Sequence, residues 1–96
     1  MQQLTIREGE YYSQADEDAF FEWLKAIPAV SRIDGTPDGL VVTLRSQKLS
    51  QTALRELIAL HYRYRLPMKA LAQFATPQNR KWFRSPKAYW HKAVFG

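Results

Sequence analysis

Leu4, Thr5, Ile6 and Arg7 alternate apolar with polar, the period of a short strand with one buried face. The period then lengthens. Ser13 can cap a helix, and Asp16 three residues on makes a Ser-x-x-Asp variant of the capping box. Asp16, Glu17 and Asp18 put negative charge in or near the first turn, where the helix dipole favours it. Phe20, Trp23, Leu24 and Ile27 follow at helical spacing and form one apolar face. Pro28 ends this helix, because the residue before a proline is driven out of the α region.

Ala29 to Ile33 predict a second strand. The stretch from Asp34 to Gly39 holds two Asp-Gly pairs and Pro37, a turn signature. Leu40 to Arg45 predict a third strand, with Leu40, Val42 and Leu44 on one face and Val41 and Thr43 on the other. The two strands should pair as a hairpin. Ser50 opens the longest helix, from about residue 51 to 65, with Leu49 and Leu54 placed as a hydrophobic staple. Ala53, Leu57, Leu60 and Tyr64 centre its apolar stripe, Leu54 and His61 flank it, and Arg55, Tyr62 and Arg63 point elsewhere. Pro67 breaks the run, and Met68 to Phe74 can form a short further helix.

The tail repeats one device. Thr76-Pro77 and Ser85-Pro86 each set a capping hydroxyl before a proline, which predicts helical turns near 77–83 and 86–93. The order strand, helix, strand, strand, helix, helices predicts one α+β domain over residues 1–96. Its small antiparallel sheet has about three strands, with the helices packed on one face.

Charge changes this picture more than composition does. The net charge is +5, but residues 1–44 hold three basic groups against eight acidic ones. Residues 45–96 hold eleven basic groups against a single acid, Glu56. Such a dipolar molecule should attract polyanions or acidic protein surfaces to its basic side. Cysteine is absent, which excludes disulfides and cysteine-ligated zinc. The first residues carry no basic segment followed by an apolar one, and no apolar run reaches the roughly 20 residues of a membrane span. The expected location is the cytoplasm, and neither a cofactor nor a membrane partner is expected.

Between residues 79 and 92 cations interleave with large rings: Arg80, Lys81, Trp82, Arg84, Lys87, Tyr89, His91 and Lys92. Single-stranded nucleic acid calls for both, since cations track phosphates and flat rings stack on unpaired bases. Trp82, Phe83 and Trp90 are equally what a core of this size needs, and the core is the expected place for them. On a helix from Pro86, Tyr89, Trp90 and Ala93 share one side, while Lys87 and His91 take another. The cations stay exposed in either case. Arg55, Arg63, Arg65 and Lys69 form a second basic group around the long helix.

His61 and His91 could serve a ribonuclease as general base and acid, with Lys or Arg answering the developing phosphate charge. His61, however, lies on the apolar side of its helix, where a half-buried, hydrogen-bonded packing role is expected. The acidic run Asp16 to Asp18 is accounted for by the dipole, and Gly35 and Gly39 lack phosphate-loop spacing. The expected function is a small non-enzymatic module whose basic half docks on RNA, DNA or an acidic protein surface. The alternatives are a protein-interaction or immunity-type protein that neutralises a toxin or regulator, and a small ribonuclease. In size and charge the chain resembles small ribosome-dependent ribonuclease toxins, although its helical C-terminal half departs from their strand-rich one. It likewise resembles the small immunity proteins that neutralise bacterial toxins.

Overall fold

The structure, a computed structural model, describes residues 2–96. Three strands form one antiparallel sheet: β1 (Gln2–Ile6), β2 (Val30–Thr36) and β3 (Gly39–Leu44), in the order β1-β3-β2. The last strand in sequence therefore sits in the middle, and α1 (Gln14–Ala26) connects the two edges. Leu4 pairs with Val42 and Ile6 with Leu40 in one ladder, and Ile33 pairs with Val42 in the other. Paired residues share a face, so these side chains all enter one core. Val30 and Ile33 are three apart and could not both face inward on a regular strand. An irregularity at Ser31 shifts the register between Val30 and Arg32, so that Val30 and Ile33 both pack against the core.

The hairpin turn is tighter than the expected stretch from Asp34 to Gly39. Thr36 pairs with Gly39, leaving Pro37 and Asp38 as the loop, and Asp34-Gly35 belongs to β2. The Thr36 hydroxyl accepts from the Asp38 N–H at 3.2 Å and donates to the Gly39 carbonyl at 2.8 Å, which closes the turn. Gly39 has φ of 129°, and a Cβ there would stand 2.4 Å from the Ile6 carbonyl oxygen on β1. Only glycine satisfies both the turn and the neighbouring strand.

The caps of α1 and α2 (Gln51–Arg63) form as expected. Ser13 Oγ accepts from the Asp16 N–H at 3.1 Å, and the Asp16 carboxylate reaches back to the Tyr12 N–H at 3.0 Å. Ile27 leaves the helical region at ψ 114°, as Pro28 requires. Ser50 Oγ accepts from Ala53 N–H, and Leu49 packs on the core beside buried Leu54. Two residues earlier than expected, α2 stops at Arg63. Arg65 takes φ of 56°, the Leu66 N–H returns to the His61 carbonyl at 2.9 Å, and the chain turns off before Pro67.

Pairs such as Trp23 with Glu56 and Phe20 with Tyr64 run α1 antiparallel to α2, and both helices cover the same side of the sheet. The 3-10 turn Lys69–Phe74 follows, its Gln73 side chain bonded to Gln2 on β1. Of the helical turn expected over 77–83, only α3 (Arg80–Phe83) is regular; before it, Thr76 and Asn79 exchange side-chain hydrogen bonds with each other's backbone. The helix expected over 86–93 begins only at His91, as α4 (His91–Phe95). Residues 85–90 make tight turns instead, because the Trp90 indole N–H folds back to the Phe83 carbonyl at 2.7 Å. Trp90 and Val94 are buried, while Ala93 is exposed. Among the described residues, no helix is long and apolar enough to cross a membrane.

Candidate functional site

Helix α2 packs against the sheet, α1 and the C-terminal tail. Its inner stripe, Ala53, Leu54, Leu57, Ile58, Leu60 and His61, is buried, and its outer side carries the C-terminal tail. The Arg55 guanidinium lies 4.5 Å above the Trp82 ring and 5.8 Å from the Trp90 ring. With its amide oriented as its neighbours require, Gln51 accepts from Arg55 Nε at 3.0 Å. Two turns further along, Tyr62 meets Tyr89 edge to face, with ring centroids 4.7 Å apart. Of the basic group read around the long helix, Arg55 thus meets the tail.

The rings expected in the core are mostly there. Phe83 and Trp90 are buried; Trp82 is half-buried, with Arg55 across its face. Tyr89 is 53% exposed and Tyr62 54%. Where α2 meets the tail, the exposed rings are therefore this tyrosine pair; Tyr12, 85% exposed, lies apart beside Glu10 and Asp16. The helical wheel turns Tyr62 away from the apolar stripe without marking it as a binding residue. Its pairing with Tyr89 exists only once the tail docks on α2. Partial burial raises the Tyr89 hydroxyl above its ordinary pKa, Tyr62 and Glu56 add to this, and Arg55 opposes it. Tyr89 is a neutral phenol at neutral pH.

Among the described residues, the single ion pair joins Arg32 to Asp34 on the outer face of the sheet. Among the described residues, none of the eleven cations from Arg45 onward has a carboxylate within 4.0 Å. Glu56, the only acid of that half, accepts from the Trp23 indole N–H at 3.0 Å. Arg80 and Arg84, one helical turn apart, line an open cleft of about 430 Å³ with Ala75, Thr76 and Pro77. Arg84 also lies 4.5 Å over the Phe95 ring, which steadies its guanidinium. Lys81, Lys87 and Lys92 are exposed, and His91 is half-buried against Phe95. At the other end of α2, Arg63 and Arg65 face Glu10 and Asp16 across a cleft of about 400 Å³. There the two oppositely charged halves of the chain come together. Lys69 is exposed at the start of the 3-10 turn and lines neither cleft.

His61 is sealed in the core at 1% exposure, deeper than the half-buried place expected for it. Its Nδ1 lies 2.7 Å from the Leu57 carbonyl oxygen. A carbonyl only accepts, so Nδ1 carries the proton. Burial lowers the pKa below its ordinary 6.5, and the bond to Leu57 opposes this in part. The folded protein holds His61 neutral while the unfolded chain takes up a proton below about pH 6.5. Stability should therefore fall as pH drops through 6.5 and level off below the folded-state value, by at most about 1.4 kcal/mol per pH unit. Urea midpoints at pH 7.5 and 5.5 measure this, and the dependence should shrink in His61→Leu.

Comparison with known proteins returns no matching family model, no matching curated protein and no matching solved structure.

Proposed function

We propose that this domain is a non-enzymatic binding module that docks a polyanion, foremost a nucleic acid, on the basic surface shared by α2 and the tail. One observation carries the proposal: among the described residues, the cations from Arg45 onward are left without carboxylate partners, and the one acid among them is bonded to an indole. A fold stabilised by these charges would pair them. Left unpaired, they repel one another and wait for an external anion. Arg55 over Trp82 and Arg84 over Phe95 supply guanidinium groups held against rings, and Arg80 lies one turn from Arg84 on the same open cleft. A hydrolytic pairing of His61 with His91 gains no support from the burial of His61.

The test is the binding of a labelled oligonucleotide across a salt series. A single strand held by about four phosphate contacts should lose roughly 50-fold in affinity between 50 and 200 mM salt. Affinity indifferent to salt would reject the proposal.

A further inference from the structure

Trp23, Ala59, Tyr62, Arg63 and Tyr89 line a groove of about 470 Å³ along the seam of α1 and α2, and the tail supplies its third wall. The only residue there without a side chain beyond Cβ is Ala59, which leaves the floor open. The Trp23 indole is held in place by its bond to Glu56 across 33 residues of sequence. Tyr62 and Tyr89 stand at 76° to each other, both more than half exposed. A flat ring entering this corner can lie parallel to one tyrosine and edge-on to the other, the two arrangements aromatic rings prefer. Arg63 stands in the groove, and Arg55 lies close enough to Tyr89 to influence its ionisation.

We infer that this groove seats an unpaired base of single-stranded nucleic acid, with neighbouring phosphates on Arg63 and Arg55. The inference deepens the polyanion proposal and rests on it. Charge complementarity selects the occupant. A planar ring carried on an anionic backbone satisfies the tyrosines and the cations together, whereas a proline-rich or aliphatic segment would leave Arg63 unanswered. A duplex keeps its base faces stacked inside and offers the tyrosines only phosphates, sugars and base edges.

Fluorescence anisotropy with a labelled oligothymidylate tests this directly. The competitors are the same strand annealed to its complement, inorganic polyphosphate and polyglutamate. The free single strand should bind tightest. Tyr62→Ala and Tyr89→Ala should each weaken it about 10-fold while leaving polyphosphate competition unchanged, the loss expected for one stacked base. Tyr89→Phe, which keeps the ring, should retain affinity. Because either alanine variant could loosen the tail, Ala59→Leu provides a second approach: it fills the floor, keeps both tyrosines and should weaken the single strand equally. Unchanged affinity in all three variants, or equal affinity for single strand and duplex, overturns the base seat even where salt-dependent polyphosphate binding persists. Polyglutamate competing as well as the oligonucleotide transfers the surface to an acidic protein and also overturns it. Binding to none of these polyanions overturns the broader proposal as well.

Discussion

Reversing Arg80, Lys81 and Arg84 to Glu should abolish polyanion binding while leaving the domain folded. The three side chains are exposed, and the change removes three positive charges and adds three negative ones to a chain of net charge +5. Removing three phosphate contacts alone should lower the salt slope of single-strand binding by about 2. The added carboxylates then repel the ligand at the site of the former contacts. The structural cost is small: Arg84 loses its place over Phe95, worth roughly 0.5–1 kcal/mol at an exposed site. Anisotropy titration at low salt measures the binding, and a thermal midpoint lowered by no more than about 8 °C shows that the fold survives. Retained affinity would show that the tail is not the docking surface and would leave Arg55 and Arg63 to account for any binding.

Leu57→Ala should destabilise the domain by about 2–5 kcal/mol. Leu57 is fully buried at the centre of the α2 stripe, between sheet and helix neighbours that cannot close the space left behind. Domains are stable by only about 5–15 kcal/mol in total, so this loss takes a large share. The thermal midpoint should fall by about 4–8 °C for each kcal/mol. The exposed neighbour Thr52→Ala serves as the control and should move the midpoint little. Because α2 also carries the tail, oligonucleotide binding should decline in step with the folded fraction. A midpoint unmoved in Leu57→Ala would show that α2 is not the element that ties sheet to tail.

Local signals that act within a few residues translated directly into structure. Ser13 and Ser50 cap their helices, Pro28 ends α1, and Leu40, Val42 and Leu44 share the inner face of β3. Each depends on a backbone N–H, a fixed φ or a side-chain period, and none needs a partner from elsewhere in the chain. The same signals failed where a distant contact competed. Ser85-Pro86 is a sound helix start, yet the bond from Trp90 to Phe83 curls that segment into turns and delays α4 to His91. Ile58 lies outside the stripe expected from the sequence because a helical wheel allows for one buried side. Helix α2 meets the sheet and the tail at once, so its apolar face is wider.

The charge split and the list of cations were legible in the sequence by itself, as were the caps and the α+β order. Charge is a property of each residue, and capping is a property of its near neighbours. Which rings are accessible was decided only by the tertiary structure. Trp82 and Tyr89 look alike in the sequence, but Arg55 covers one ring while the other stands beside Tyr62. The groove, too, exists only because α1, α2 and the tail converge on Trp23, Tyr62 and Tyr89, residues separated by 39 and 27 positions. Burial is settled by what packs on a side chain, and packing across such separations is not written in any local pattern.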